Sequence, residues 1–341
     1  MALLIKSKLL FATLLLLGVF ACQTTSRTLQ DESMFARHEQ WMARYGRVYE
    51  NETEKANRFK IFTENVEYIE SINNAGNKTH KLGVNQFADM TNEEFQATRY
   101  GFKMSSTPRS SRTSFVYADV NDVPASVDWR TEGAVTPIKD QGQCGCCWAF
   151  SAVAATEGIH QLTTGELVSL SEQELVDCDT NSGNKGCQGG LMDTAFKFII
   201  NNQGLTSESD YPYQGVEGTC NANDESSNAV TITGYQDVPA NSESALLQAV
   251  ANQPISVAID ASGQDFKFYK SGVFMGECGT QLNHGVTLVG YGETSDGTKY
   301  WIVKNSWGTS WGEDGYIRMQ RDVEAAEGIC GIAKQASYPT K

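Results

Sequence analysis

The stretch QGQCGCCWAFS, residues 141–151, holds three cysteines within four positions: Cys144, Cys146 and Cys147. Clustered cysteines serve as metal ligands, as a redox dithiol, as halves of disulfides, or as a nucleophile with its scaffold. Gly145 interrupts regular structure, and the apolar-periodic run CWAFSAVAATEGI begins at Cys147. A thiol there stands at a helix N-terminus, where unsatisfied N–H groups and the positive end of the dipole favour thiolate. An imidazolium alongside favours it further.

The chain has four histidines. His38 and His80 precede a Ser/Thr/Arg/Pro-rich stretch, residues 103–114, which reads as a flexible, protease-accessible linker. If that linker is cut, both are lost. His160 follows Cys147 by 13 residues on the expected helix, which at a rise of about 1.5 Å per residue separates the two by roughly 20 Å. His284 is the base that remains, in LNHGVTLVGYG in the strand-rich half. A third polar group should hold the imidazole in register, and Asn305 in KNSWG supplies one. A helical half bearing the thiol then meets a strand half bearing the imidazole across a cleft.

Other function classes fit less well. Cys144 and Cys147 are formally a C-x-x-C before a helix, as in thiol–disulfide oxidoreductases, which want a βαβ context and a free Cys144. Zinc needs about four convergent ligands, and this cluster cannot supply tetrahedral geometry without strain. A catalytically inactive homologue acting as a binder is a further alternative. Of 341 residues, 40% are hydrophobic and 20% charged, a soluble globular composition with room for a sizeable core. The net charge of −14 argues against nucleic acid as a partner. It is uneven: from Val123 onward 27 acidic residues face 12 basic ones, against 14 and 15 before it.

Lys6 and Lys8 precede the apolar run LLFATLLLLGVFAC, residues 9–22, which is too short to span a bilayer. Val19 and Ala21 suit a cleavage site, so residues 1–21 read as a signal peptide, with a membrane anchor as the competing reading. No second apolar stretch approaches 18 residues, so no membrane association is expected after cleavage. The secretory route permits disulfides. Of nine cysteines, Cys22 falls at the signal boundary and the other eight lie beyond residue 140.

Residues 52–73 place Phe59, Phe62, Val66 and Ile69 at helical spacing. Thr91 with Glu94 resembles a capping box opening a short helix at Asn92. Ser171 with Glu174 reads as another, and Gly204 suits the C′ position of the helix before it. Beyond Tyr211, AVTITGY, ISVAID, GVTLVGY, KYWIVKN and GYIRMQ read as strands, interrupted by a helix in SESALLQAVANQ that stops before Pro254. Helices first and strands later make an α+β protein in two subdomains. Asn51 and Asn77 open glycosylation sequons.

From end to end the chain resembles a papain-like cysteine protease precursor of the plant, cathepsin L-like type. Cys144-Gly145-Cys146-Cys147-Trp148 matches the family's signature except at Cys146, where Ser or Ala is called for, and His284 and Asn305 follow Cys147 at +137 and +158. Glu54, Arg58, Phe62, Asn65, Ile69 and Asn73 match its interrupted helical pro-region signature, and Gly83, Asn85, Phe87 and Asp89 match a second one. VPASVDWR from Val123 matches the start of mature chains.

The resemblance implies a helical left domain, a β-barrel-like right domain and an α-helical inhibitory pro-region. The pro-region would span residues 22–122, with the inhibitory part over about 35–95 and a linker over about 103–122, before a peptidase domain at 123–341. It makes Cys147 the nucleophile, His284 the base and acid, Asn305 the group orienting the imidazole, and Trp307 a shield over that contact. Gln141 would build an oxyanion hole with the Cys147 N–H. The implied disulfides are Cys144–Cys187, Cys178–Cys220 and Cys278–Cys330. Gly189 and Gly190 would pair with an extended substrate. Leu191, Met192, Ala258 and Leu282 would line an apolar pocket for the residue before the one at the cut, favouring Leu, Val or Phe. The implied partners are protein and peptide substrates, the pro-region as intramolecular inhibitor and cystatin-like inhibitors, on a monomer needing no metal or cofactor. The implied destination is a vacuole or lysosome, or the extracellular space. For Cys146 two readings stand: a small side chain tolerated in place of Ser or Ala, or an oxidant-sensitive neighbour of Cys147.

Overall fold

The computed structural model describes residues 32–76, 78–103, 115–120, 122–221 and 228–341. The expected signal peptide, Cys22, the sequon Asn77 and linker residues 104–114 lie outside them. Two compact units are distinguished: one runs to Tyr68 and includes Ala88–Met90, the other comprises Ile69–Phe87 and Thr91–Lys341.

In the first unit, helix α1 covers residues 32–45 and helix α2, Glu52–Asn74, begins in it. Asn51 caps α2, its Oδ1 accepting from the Glu54 N–H at 2.9 Å. The apolar stripe expected at Phe62 and Val66 is buried, and His38 is buried within it, its ring 5.0 Å from Phe62 and 5.4 Å from Phe59. The polar members of the pro-region signature fasten a returning chain. Arg58 Nη1 donates to Asp89 O at 3.0 Å, and Asn65 Nδ2 donates to Ala88 O and Met90 O at 2.8 and 3.0 Å. Tyr49 Oη donates to the Asp89 carboxylate at 3.0 Å. Their fixed spacing is that of a helix face satisfying the backbone of an irregular segment.

The second unit carries one nine-stranded sheet among the described residues. The strands are β1 (His80–Leu82), β2 (Val127–Asp128), β3 (Gly234–Asp237), β4 (Ile255–Ile259), β5 (Tyr269–Phe274), β6 (His284–Glu293), β7 (Lys299–Lys304), β8 (Tyr316–Gln320) and β9 (Ala336–Thr340). Their order is β1-β5-β8-β7-β6-β4-β9-β3, with β2 on β6. The pro-region strand β1 thus lies on the free edge of β5, antiparallel, with His80 opposite Gly272. Helix α3 (Asn92–Arg99) opens with the capping box expected at Thr91 and Glu94, both halves formed.

The helical half comprises α4 (Cys147–Thr164), α5 (Glu172–Cys178) and α6 (Met192–Asn201); α7 (Glu243–Val250) and the short α8 (Gln264–Lys267) decorate the sheet half. β6 is buried along its length except at Glu293, so it reads as an unbroken apolar run rather than an alternation. Buried Ser151 fastens α4 to the sheet: its Oγ donates to Val286 O at 2.7 Å, and its carbonyl accepts from Ser256 Oγ at 2.8 Å. The three disulfides are Cys144–Cys187, Cys178–Cys220 and Cys278–Cys330.

Three local expectations change. AVTITGY, residues 229–235, is strand only from Gly234, because Val230 makes an isolated bridge to Leu205 instead. After α6 the left-handed residue is Gln203 (φ 59°), not Gly204, whose N–H reaches back to Ile199 O. Gly204 is needed because a Cβ there would press on the Val230 carbonyl. Ser171 caps α5 through the Glu174 N–H, but the Glu174 carboxylate turns away from the cap to accept from Asn202 Nδ2 and the Thr206 N–H.

Candidate active site

The site forms where the first turn of α4 meets the first residues of β6. Cys147 is the first residue of α4 and is fully buried. The N–H of Gly285, the residue after His284, donates to Cys147 Sγ at 3.3 Å. His284 Nε2 and Asn305 Oδ1 are 2.8 Å apart. That oxygen also accepts the Ser306 N–H at 2.8 Å, which fixes the orientation of the amide. Oδ1 can only accept, so the neutral imidazole carries its proton on Nε2 and leaves Nδ1 as a lone pair. His284 Nδ1 is buried with no hydrogen-bond partner among the described residues. Trp307, itself fully buried, stacks on the imidazole with ring centroids 4.6 Å apart.

Gln141 is held on three sides. Its N–H donates to Ser306 O at 2.9 Å, its Oε1 accepts from Ser306 Oγ at 2.6 Å, and its carbonyl accepts from Tyr213 Oη at 2.7 Å. With Oε1 committed to Ser306, Nε2 is the donor end of the amide. It meets Cys144 O at 2.8 Å and Arg99 O at 3.0 Å.

Arg99 belongs to the segment, residues 99–103, that lies over the site. The Gly190 N–H donates to Gly101 O at 2.7 Å and the Lys103 N–H to Gly190 O at 3.1 Å, a parallel bridge centred on Phe102 and Gly190. Gly101 lies so close that a Cβ there would land on the Gly145 carbonyl. Phe102 belongs to one apolar cluster with Met192, Ala258 and Leu282, and Leu191 packs against that cluster. Phe87 and Phe95 set their rings edge-on to Trp307.

Covering the site withholds water, and both reactive groups respond. Burial pushes the Cys147 thiol up to about 11 although backbone N–H groups, Gly285's foremost, oppose it. Burial, with a contribution from the Arg99 charge, pulls His284 down to about 4 against the Asn305 hydrogen bond. Beneath this pro-segment the pair is a neutral thiol and a neutral imidazole.

The residues singled out in the sequence therefore come together: Cys147, His284, Asn305, Gln141 and Trp307 at the junction, Gly189 and Gly190 beside it, and Leu191, Met192, Ala258 and Leu282 packed with Phe102. Cys144 is bonded to Cys187, so the Cys144–Cys147 dithiol of the oxidoreductase reading does not exist. His160 lies elsewhere, hydrogen-bonded to Lys341. Sequence reasoning missed Ser306 and Tyr213, which steady Gln141, and the buried ions behind Asn305. There Lys139 Nζ meets Glu172 at 2.8 Å and Glu157 at 3.3 Å, while Lys304 Nζ donates to Thr136 O. Ser306 was within reach as the neighbour of Asn305; the ions, scattered from Lys139 to Lys304, carry no local signal.

Residues 123–340 match the papain family of cysteine proteases, and residues 38–95 match the cathepsin propeptide inhibitor domain. The senescence-specific cysteine protease SAG39 of Oryza sativa subsp. indica is 58% identical over 337 residues, 97% of this chain and 98% of its own. Among solved structures, the recombinant stem bromelain precursor superposes with a TM-score of 0.84 at 51% identity, over 90% of this chain and 99% of that one. The proform of the ragweed pollen allergen Amb a 11 gives 0.84 at 44% identity, over 91% and 94%.

Proposed function

Because the chain belongs to the papain family of cysteine proteases, and is a cysteine endopeptidase zymogen with a propeptide inhibitor domain, we propose that Cys147 is its nucleophile, working with His284, Asn305 and Gln141. With the pro-segment gone, water reaches the junction and the proton of Cys147 passes to His284 Nδ1. The thiolate attacks the scissile carbonyl carbon, and the negative charge moves to oxygen, toward Gln141 Nε2 and the Cys147 N–H. The C–N bond breaks as the imidazolium protonates the leaving amine, and a thioester remains. His284 then takes a proton from water, hydroxide adds to the thioester, and Cys147 leaves with the carboxylic acid released. Asn305 keeps the Nε2 proton in place throughout, so that Nδ1 is the end that reacts.

The observation that carries this reading is the pairing of His284 Nε2 with Asn305 Oδ1 at 2.8 Å, which leaves Nδ1 unpartnered in the element that also delivers Gly285 to the thiol. The test is Cys147→Ala in the full chain. The variant should stay uncut on acidification and show no peptidase activity, and residual activity above about one part in a thousand would refute the assignment.

The pocket reading is supported by Phe102, the chain's own apolar side chain in one cluster with Met192, Ala258 and Leu282. A peptide library should show Leu, Val or Phe before the residue at the cut, and a profile dominated by Arg would overturn it. Residues 22–122 would be removed on activation, freeing a peptidase domain at 123–341 that acts as a monomer on protein and peptide substrates and is open to cystatin-like inhibitors. Residues 1–21 would route it into the secretory pathway, to a vacuole or lysosome or outside the cell. A glycan at Asn51 would attach to Nδ2, leaving Oδ1 free to keep capping α2; Asn77 is the second acceptor.

A further inference from the structure

Cys146 stands where the family signature calls for Ser or Ala, and its surroundings give it work. It is fully buried in the helical half, and its Sγ lies 3.0 Å from Tyr213 Oη. Tyr213 Oη is 2.7 Å from Gln141 O. A carbonyl accepts only, so the single phenolic proton is committed to Gln141, and Cys146 must donate to the phenolic oxygen. The result is a directed chain, Cys146 S–H to Tyr213 O–H to Gln141 C=O. The far side of the same loop is held by Ser306, through the Gln141 N–H and Oε1. Tyr213 is itself fixed, its N–H on Glu208 Oε1 at 2.9 Å and its ring edge-on to Phe150 at 5.0 Å.

We propose that Cys146 and Tyr213 are positioning residues: their hydrogen-bond chain sets the height of the Gln141 backbone, and so aims the Gln141 amide at the oxyanion. This rests on the reading of Gln141 as an oxyanion donor. The chain hangs from the residue adjoining the nucleophile, so donor and thiol are registered to the same helix turn. Such a role needs a protonated side-chain donor at position 146. Ser can supply one and Ala cannot. In this structure the Cys146 thiol is enclosed and its proton engaged by Tyr213, which favours the positioning role over the oxidant-sensitive one.

The test separates oxyanion stabilisation from nucleophilicity. Alkylation of Cys147 by iodoacetamide is a displacement at saturated carbon and builds no oxyanion, whereas hydrolysis of a peptide anilide does. In the acid-processed full chain, Tyr213→Phe and Cys146→Ala should each lower kcat on the anilide by roughly tenfold to a hundredfold, as expected for a donor moved by a fraction of an ångström. KM and the alkylation rate should stay within about twofold of the parent, which a loosened fold would not allow. Cys146→Ser should recover most of kcat, and the double variant Tyr213→Phe/Cys146→Ala should be no worse than either single one. Gln141→Ala is the control. If it cuts kcat by about a hundredfold or more while Tyr213→Phe and Cys146→Ala leave it unchanged, the relay is wrong and the oxyanion reading stands. If Gln141→Ala itself leaves kcat unchanged, both are overturned. Should Tyr213→Phe fail to fold, Cys146→Ala decides alone.

Discussion

At the scale of single residues, the zymogen differs from a working enzyme in charge rather than in parts. The proposed nucleophile, base, orienting amide and oxyanion donor lie together, yet the thiol is held near 11 and the imidazole near 4. Between those values both groups are neutral, so the covered site holds little of the reactive ion pair at neutral pH. Alkylation of Cys147 by iodoacetamide in the intact chain should be slow at pH 7 and climb toward pH 11. After processing, a plateau should reach down to acidic pH. Identical pH–rate profiles before and after processing would show that the cover leaves the pair's ionisation untouched. In the proposed mechanism Asn305 acts one step back, through the tautomer of His284. Asn305→Ala should lower kcat by roughly ten- to a thousandfold with KM almost unchanged, measured on a peptide anilide.

At the scale of elements, each of the two units carries one testable feature. The segment after α3 passes so near the catalytic loop that Gly101 admits no side chain. Gly101→Ala should therefore loosen it, giving faster acid processing and measurable peptide cleavage at neutral pH before any cut; unchanged processing kinetics would show that the segment adjusts. In the first unit, burial among aromatic rings depresses His38 below its ordinary 6.5. The fold thus binds its neutral form, and the unfolded chain takes up the proton first. This contribution to stability is complete above about pH 6.5 and drains away as the pH falls from there toward the depressed folded-state value. In a Cys147→Ala background, hydrogen exchange of α1 amides, corrected for intrinsic rate, should accelerate between pH 7 and 5. His38→Phe should flatten that trend, whereas an equal acceleration in both would remove His38 as its cause. The elements themselves were legible where a side chain near in sequence caps them, as Thr91 and Glu94 cap the start of α3. They were not legible where a distant partner decides: Val230 leaves its expected strand for Leu205, and β1 becomes a strand by meeting β5.

At the scale of the whole molecule, the order of motifs was enough for the fold and for bringing the proposed site residues together, since thiol, imidazole and amide sit on a helix start, a strand start and just past a strand end that must converge. What stayed hidden was the support: Tyr213, Ser306 and the ions around Lys139 are ordinary residue types at uninformative spacings. The disulfides bear on global stability. Cys278–Cys330 spans 52 residues, and a loop of that length contributes about 4 kcal/mol by restricting the unfolded chain. Replacing both cysteines by Ser should lower the unfolding temperature by several degrees in calorimetry; no shift would mean that the unfolded chain is already constrained there.

The pro-region also completes the sheet, for β1 lies on β5 and gives its outer backbone groups their partners. Once the pro-region is digested, β5 becomes a bare rim, and bare rims recruit strands from other chains. What remains at that rim is Lys270, exposed and charged, and Gly272, whose φ of 92° interrupts a flat ladder. The mature enzyme thus keeps a solubility guard in a place its precursor never needed one, and swapping Lys270 for an apolar residue should spare the zymogen while making the processed protein prone to self-association.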